Sequence, residues 1–197
     1  YSCSFCTIPL ARGKSRSGTI SDLLKVINNI KKSNIKEIVL SGINVGDFGV
    51  SNGESLIELL ESIELINGIE RCRISSIEPN LLSDEIIDFI ANSKKILPHL
   101  HIPLQSGSND ILKLMQRRYD IELYASKIKK IKSLIPDCCI GVDVIVGFPS
   151  ENDDDFLTTY NFLNELDITY LHVFSYSERE NTKAILIDNK IPESIKQ

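Results

Sequence analysis

The sequence predicts an α/β fold in which parallel strands joined by helices form an incomplete barrel. Two observations support this: helical and strand patterns alternate regularly along the chain, and polar residues collect where the predicted strands end. Parallel strands joined by crossover helices either close into barrels or form open doubly wound sheets. The barrel is favoured because polar residues at the carboxyl ends of strands are typical of the rim where barrels place their functional sites. These polar segments are Ser41-Gly42, Ser76 to Glu78, Gln105-Ser106 and Phe148-Pro149.

The first half of the chain supplies three predicted strands and three helices. A helix from about Ser21 to Lys32 comes first, because apolar residues recur on one face and Ser21 with Asp22 suits a helix N-terminus. Helices around Leu56 to Ile63 and from Ser83 to Ala91 show the same periodicity. The strands between them are Glu37 to Ser41, Cys72 to Ile77 and His99 to Leu104.

The second half supplies two further strands and three helices. Helices are predicted from Ser108 to Met115 and from Ile121 to Leu134, where Pro136 ends the pattern. Three consecutive acidic residues then place negative charge at the positive end of another helix. We expect this last helix to pack through Phe156, Tyr160, Phe162, Leu163 and Leu166. The strands are Ile140 to Val146 and Tyr170 to Phe174.

Composition and charge exclude several classes of protein. The 197 residues are 42% hydrophobic, which suffices for a core and excludes disordered and fibrous proteins. No apolar run approaches about 18 residues and no signal-peptide pattern occurs, so we expect a cytoplasmic protein without a membrane partner. The net charge of -5 has the wrong sign for a domain that binds nucleic acid unaided. Cys138 and Cys139 are adjacent in an apolar run, which argues against a secreted disulfide framework and predicts reduced thiols.

Cys3-Ser4-Phe5-Cys6 is a C-x-x-C motif, which zinc knuckles, thioredoxin-like redox pairs and iron–sulfur sites all use. A zinc site needs a second pair of Cys or His ligands. The other cysteines, Cys72, Cys138 and Cys139, lie in predicted strands at unsuitable spacing, which disfavours zinc. Taken alone, the motif still leaves a non-catalytic zinc or RNA-binding module as an alternative.

Six further segments accompany the cysteine motif in order over nearly the whole chain. They are Ile8 to Gly13, Ser41 to Asp47, Ser75 to Pro79, Pro98 to His101, Pro103 to Ser108 and Asp143 to Pro149. Together with Cys3 and Cys6, these segments resemble the radical S-adenosylmethionine (SAM) methylthiotransferases, whose cluster motif is C-x-x-x-C-x-x-C. The segments Ser75 to Pro79 and His172 to Ser177 are most similar to the branch that acts on threonylcarbamoyladenosine in tRNA.

The resemblance implies a partial TIM-type (β/α)6 barrel of the radical SAM type that lacks its first strand in this chain. The core barrel would span residues 1–185, and residues 186–197 would begin a linker to a C-terminal RNA-binding domain. The first cysteine of the cluster motif would lie two residues upstream of Tyr1. We therefore expect the chain to be a fragment that is inactive alone, with a second [4Fe-4S] cluster on a separate N-terminal domain.

The resemblance also implies a transferase that adds a methylthio group to threonylcarbamoyladenosine next to the tRNA anticodon. Its cofactors would be SAM and a [4Fe-4S] cluster held by Cys3, Cys6 and the upstream cysteine, with the fourth iron open to chelate SAM. Its partners would be the tRNA anticodon stem-loop and a flavodoxin-like or ferredoxin-like electron donor. Isopentenyladenosine in tRNA and a ribosomal protein are alternative targets within the same superfamily.

Four candidate SAM-binding residues lie at the ends of predicted strands. Ser41 and Gly42 end the first strand, and a glycine there lets the backbone approach the amino group of a ligand. Glu78 and Gln105 follow later strands and offer hydrogen-bonding groups to a ribose or an adenine. An ordinary strand-to-loop turn, a solvated carboxylate and a structural amide are the alternatives for these positions.

Arg117 and Asp143 complete the candidate cofactor site. The resemblance makes Arg117 the partner of the cofactor carboxylate through bidentate geometry, with the adjacent Arg118 as the alternative. Asp143 stands in an apolar strand, where an unpaired charge is costly, so it should bind ribose hydroxyls or pair with a neighbouring Arg or His. We expect Cys3, Ser41, Glu78, Gln105 and Asp143 to face one opening.

Three residues are candidates for substrate contact. Arg12 belongs to a small basic cluster that would touch an RNA phosphate, unless it is only solvated. Tyr176 and Arg179 follow the last strand, where a base would stack or a phosphate would dock. Asn181 stands where the family usually has glycine, and asparagine tolerates the left-handed conformation, so we expect the turn to survive. The histidines, including His172, are expected to be hydrogen-bonded core residues rather than metal ligands.

Overall fold

The computed structural model describes residues 2–196, which form two compact units. The first unit comprises residues 2–14, 103–129 and 140–196, and the second comprises residues 15–102 and 130–139. Tyr1 and Gln197, the two ends of the predicted core and linker, lie outside the described residues. Within the described part of the chain, no helix is long and apolar enough to cross a membrane.

Helices and strands alternate along the chain, which confirms the predicted α/β class. The helices are α1 (Ile8–Arg12), α2 (Ile20–Ile30), α3 (Leu56–Glu64), α4 (Asp84–Asn92), α5 (Asn109–Leu114), α6 (Ile121–Leu134), α7 (Asp153–Glu165) and α8 (Glu193–Lys196). The strands are β1 (Glu37–Leu40), β2 (Arg71–Ile74), β3 (His99–His101), β4 (Cys139–Val146) and β5 (Tyr170–Ser175). Predicted and observed bounds differ by up to three residues.

In the second unit, β1 and β2 pair in parallel from Glu37 opposite Arg71 to Leu40 opposite Ile74. Parallel pairing needs a crossover connection, and α3 provides it. A capping box starts α3: Ser55 accepts a hydrogen bond from the Glu58 amide, and Glu58 accepts one from the Ser55 amide. The fully buried residues Leu60, Ile63, Ile77, Leu82 and Ile87 form much of the core of this unit.

In the first unit, β4 and β5 pair in parallel from Gly141 opposite Tyr170 to Val146 opposite Ser175. A side chain at Gly141 would lie 2.1 Å from the Tyr170 ring, so this position admits only glycine without rearrangement. The buried residues of one core cluster come from separate segments of the unit: Ile111, Met115, Phe148, Tyr176 and Ala184.

The buried face of α7 differs from the prediction. Phe156 and Tyr160, which we expected to pack inward, are 47% and 57% exposed, and the buried residue of the helix is Thr159 at 4%. The backbone of Gly107 approaches α7 so closely that a Cβ at Gly107 would lie 2.6 Å from the Cα of Thr159. The prediction for Phe156 and Tyr160 was wrong because the helix turns Thr159 toward Gly107, which leaves these two side chains exposed.

Candidate functional site

Cys3 and Cys6 flank one tight turn near the start of the first unit. The Cys6 amide donates a hydrogen bond to the Cys3 carbonyl at 3.3 Å, and neither half-buried cysteine forms a disulfide. The Nη1 atom of Arg117 donates to the Cys3 sulfur at 2.8 Å. A neighbouring guanidinium favours the thiolate, which is the form of cysteine that ligates metal.

Cys72 and Cys138 are more buried than the two cysteines of the turn. Both are almost completely buried. Burial raises the pKa of Cys72 to about 12 and that of Cys138 to about 11, so both thiols stay protonated at neutral pH. Cys3 and Cys6, half-buried and joined by one tight turn, could supply two of the three thiolates that an open-site cluster needs.

Tyr119 holds the guanidinium of Arg117 in place. Arg117 Nε donates to the Tyr119 hydroxyl at 3.0 Å, and the guanidinium carbon lies 5.0 Å from the centre of the Tyr119 ring. The Tyr119 hydroxyl in turn lies 2.9 Å from the carbonyl oxygens of Pro103 and Leu104. The neighbouring Arg118 is exposed, so of the two candidate arginines the structure brings Arg117 to the cysteine turn.

Gln105 occupies a strained backbone position beside β4. Its φ of 71° lies in the left-handed region, which side chains other than glycine rarely adopt. The Gln105 amide donates to the Asp143 carbonyl at 2.8 Å, and the Gln105 carbonyl accepts from the Ile145 amide at 2.9 Å. These two backbone bonds hold Gln105 against the strand that carries Asp143.

The loop after Gln105 is fastened to α7 through hydroxyl groups. The Gly107 amide donates to the Thr159 hydroxyl at 2.9 Å, and the Ser108 hydroxyl donates to a carboxylate oxygen of Asp155 at 2.7 Å. The hydroxyls of Ser106 and Thr159 lie 3.3 Å apart. Thr159 thus supports the segment that carries Gln105, a role that apolar periodicity does not reveal.

Asp143 pairs with His172. The two residues are opposite each other in the β4–β5 register, and Asp143 Oδ1 lies 3.0 Å from His172 Nδ1. The sequence left ribose binding and pairing with a neighbouring Arg or His open for Asp143, and the structure confirms the pairing with a histidine. Binding of a ribose by Asp143 stays a prediction.

Replacing Asp143 by alanine in the cluster-bearing enzyme should weaken SAM binding by about 1–3 kcal/mol, because a half-buried hydrogen-bond acceptor is lost. Isothermal titration calorimetry with SAM measures the effect. His172→Phe is the matched control, since it removes the other half of the pair and retains the carboxylate. If Asp143→Ala left binding unchanged, or if both variants weakened it equally, Asp143 would be only the structural partner of His172.

A cavity of about 310 Å³ in the first unit brings several predicted site residues together. It unites Gln105 and Asp143, predicted to bind cofactor, with Tyr176 and Arg179, predicted to contact substrate. Phe5, from the cysteine turn, also lines it. A cavity with an apolar lining and a few convergent polar groups is the usual form of a small-molecule site.

The aromatic side chain exposed at this cavity is Phe174, not Tyr176. Tyr176 is 5% exposed and its ring packs edge-on against Phe148 at a centroid distance of 5.2 Å. This burial argues against the predicted stacking of a substrate base on Tyr176. Phe174 is 52% exposed, and with Tyr170 and His172 it follows the period of two expected for one face of a strand. That alternation places Phe174 on the same strand face as Tyr170 and His172, but it does not show that this face is open.

Ser41, Gly42 and Glu78 lie in the second unit. Ser41 and Gly42 are exposed directly after β1, and Glu78 is half-buried after β2. The side chain of Asn44 accepts a hydrogen bond from the Glu78 amide at 3.4 Å, so the loops after β1 and β2 adjoin. The expectation that these residues and those of the first unit face one opening stays a prediction.

Arg12 and Arg179 are exposed residues of the first unit. Arg12 ends α1, a short helix that the sequence did not indicate. Arg179 opens the turn in which Asn181 has a φ of 62°, which confirms the predicted left-handed asparagine. Contact of either arginine with RNA stays a prediction.

A family model described as the radical SAM superfamily matches residues 1–163. The chain is 41% identical over 196 residues to the threonylcarbamoyladenosine tRNA methylthiotransferase MtaB of Bacillus subtilis (strain 168), covering 98% of this chain and 44% of that protein. It is also 41% identical over 197 residues to the tRNA-2-methylthio-N(6)-dimethylallyladenosine synthase of Fusobacterium nucleatum subsp. nucleatum, covering 99% of this chain and 45% of that protein. The chain thus spans less than half the length of these relatives.

Solved structures with low sequence identity share the fold. Coproporphyrinogen III oxidase (HemN) from Escherichia coli, a radical SAM enzyme, matches with a TM-score of 0.64 at 16% identity, over 100% of this chain and 47% of that one. Streptococcus suis SuiB bound to S-adenosylmethionine matches with a TM-score of 0.58 at 17% identity, over 96% of this chain and 40% of that one. The predicted fold class is confirmed, and a partial barrel is compatible with it.

Proposed function

Because this chain belongs to the radical SAM superfamily, we propose that it is the catalytic core of a methylthiotransferase that modifies tRNA. The observation that carries the proposal is the cysteine turn, where Cys3 lies 2.8 Å from the guanidinium of Arg117. In the same unit, Phe5 of this turn lines the cavity that also contains Gln105 and Asp143. Similarity to curated tRNA methylthiotransferases over nearly the whole chain supports the same conclusion.

Cys3 and Cys6 would hold a [4Fe-4S] cluster together with a cysteine two residues upstream of Tyr1. When bound, the cluster and SAM supply an electron, a carbon-centred radical and the methyl group. The guanidinium of Arg117, 2.8 Å from the sulfur of Cys3, would favour the thiolate form of that cysteine and would pair with the carboxylate of SAM. The Tyr119 hydroxyl restrains the guanidinium in that position.

The remaining cofactor residues would bind and orient SAM. Gln105 and Asp143, held together by backbone hydrogen bonds, would receive its adenosine through the amide and the carboxylate. Ser41, Gly42 and Glu78 would approach its amino group and ribose from the loops after β1 and β2. Each of these residues would hold SAM in place, which is the main contribution of a protein to cofactor chemistry.

We propose threonylcarbamoyladenosine in the tRNA anticodon stem-loop as the substrate. The segments Ser75 to Pro79 and His172 to Ser177 support this branch, as does the similarity to MtaB. The dimethylallyl (isopentenyl) adenosine alternative is supported by relatives of that specificity at equal identity. Arg12 and Arg179 would contact RNA phosphates, and the net charge of -5 implies that further domains supply most of the RNA affinity.

Turnover of two defined RNAs distinguishes these functions. The polypeptide containing this chain and its upstream cysteine is reconstituted with iron and sulfide. It is then reduced with flavodoxin or ferredoxin and supplied with SAM, a sulfur source and one RNA. Mass spectrometry of the digested nucleosides should find a methylthio product from the threonylcarbamoyladenosine RNA only. A product from the dimethylallyladenosine RNA only would reassign the substrate. Zinc instead of iron in the purified protein would support the non-catalytic module.

A further inference from the structure

The segment from Arg179 to Ile187, called the 179–187 segment below, forms a closed turn followed by a short 3-10 helix. The Thr182 hydroxyl donates to the Arg179 carbonyl at 2.6 Å, and the Thr182 amide donates to the same oxygen at 3.3 Å. Asn181 supplies the left-handed residue that closes the turn. Both Thr182 and Ala184 are buried, so this segment packs against the core instead of lying free on the surface.

The cysteine turn is hydrogen-bonded to this segment through its central peptide groups. The Ala184 amide donates to the Ser4 carbonyl at 2.8 Å. On the other side, the Ser4 amide donates to the carbonyl of Met115, the C-cap of α5, at 3.0 Å. Ser4, between the two cysteines, is thus held by two chain segments that are more than a hundred residues away in sequence.

Side-chain packing holds the same turn. The Phe5 ring meets the Phe148 ring edge-on at a centroid distance of 6.2 Å. Phe148 belongs to the core cluster that also contains Met115 and Ala184, and Phe5 and Ile187 pack against that cluster. Both residues between Cys3 and Cys6 are therefore anchored, one through its backbone and one through its ring.

We propose that the 179–187 segment positions the cysteine turn for the iron–sulfur cluster, with Asn181, Thr182 and Ala184 as positioning residues. The inference rests on the proposed function, because it assumes that Cys3 and Cys6 ligate a cluster. Ligands that are held in place before binding lose less conformational entropy when they bind. The sequence predicts only substrate contact, by Arg179. The positioning of the cysteine turn is an additional role for the turn from Arg179 to Thr182.

The first test uses the chain without a cluster. Thr182→Val keeps the branched shape and removes the hydroxyl, so it should raise hydrogen-exchange rates at Ser4 and Ala184 about tenfold, the usual effect of losing one hydrogen bond. Alkylation of Cys3 and Cys6 by iodoacetamide should accelerate similarly. Thr182→Ser keeps the hydroxyl and should behave as the wild type. Thr169→Val is the matched control, since the Thr169 hydroxyl accepts a hydrogen bond from Ile140 of β4 at 3.0 Å and makes none to the cysteine turn.

The second test asks whether loss of the Thr182 hydroxyl changes the stability of the bound cluster. A chain extended by Cys-Gly ahead of Tyr1 is reconstituted with iron and sulfide, and iron release to a ferrous chelator is timed. Thr182→Val should release iron about tenfold faster and change the electron paramagnetic resonance spectrum of the reduced cluster. Thr182→Ser and Thr169→Val should leave the rate and the spectrum unchanged.

The outcomes separate this inference from the proposed function. Equal exchange and iron-release rates in Thr182→Val and Thr169→Val would overturn the positioning role. Failure of the extended wild-type chain to assemble any cluster would overturn the proposed function, while the exchange measurements would still decide whether the segment holds the turn. If Thr182→Val did not fold, Asn181→Val, strained at positive φ, would be compared with the unstrained Asn181→Gly by the same measurements.

Discussion

A chain extended by Cys-Gly ahead of Tyr1 should bind about four iron atoms after anaerobic reconstitution, whereas the 197-residue chain should bind far fewer. Cys3 and Cys6 provide two thiolates, and an open-site cluster needs three. The turn that carries them is hydrogen-bonded and lies beside Arg117, so a cysteine added ahead of Tyr1 would supply a third thiolate. Iron and acid-labile sulfide assays measure the result.

Two variants of the extended chain control this experiment. Cys6→Ser should abolish the cluster, and Cys139→Ser, which changes a half-buried cysteine in β4, should leave it intact. A stoichiometric four-iron cluster in the 197-residue chain would contradict the prediction, as would release of deoxyadenosine from SAM by that chain. Either result would mean that another group completes the ligand set.

Gly49→Ala should lower the free energy of unfolding by about 3–5 kcal/mol, because left-handed backbone strain and a severe steric overlap add together. Gly49 has a φ of +79°, and a Cβ there would lie 2.0 Å from the carbonyl oxygen of Glu54. The clash is with backbone, so no side-chain rotation relieves it. The Gly49 carbonyl also accepts hydrogen bonds from the amides of Asn52, Gly53 and Glu54, which tie the same loop together. Urea unfolding followed by circular dichroism measures the loss.

Gly53→Ala is the matched control for this variant. Gly53 has nearly the same φ, +80°, but a Cβ there would meet no atom within 4 Å. Gly53→Ala should lower the free energy of unfolding by the left-handed backbone strain alone, about 1–2 kcal/mol. If the two variants were equally destabilised, the loop at Gly49 would have moved to remove the overlap, and the steric argument would fail.

The sequence predicts strand positions better than strand ends. The apolar runs locate all five strands, because a buried strand needs consecutive apolar residues wherever its partners lie. The predicted third strand extends to Leu104, but β3 ends at His101. Beyond it, the Leu104 and Gln105 amides both bond the single carbonyl of Asp143, and Gln105 turns left-handed. That irregular pairing depends on another strand and has no local signature.

In the candidate site too, the sequence predicts features of one short segment but not those that depend on distant segments. The motif around Cys3 and Cys6 is visible in the sequence because ligand spacing within one turn is a local property. The sequence does not identify Phe174, because one face of a strand cannot be recognised as open until the neighbouring elements are known. Tyr176 lies two residues later and is predicted from the sequence to contact substrate, but its side chain is part of the core.

The sequence by itself determined the α/β class, the cysteine turn and membership of the superfamily, since periodicity and motif order are properties of the chain. Only the tertiary structure decided that Arg117 reaches Cys3 across 114 residues, that Asp143 pairs with His172, and that Thr159 is buried on α7. It also decided that Ala184 bonds the centre of the cysteine turn. The physical reason is that these contacts depend on which distant backbones come within hydrogen-bonding distance, and side-chain type alone does not specify that.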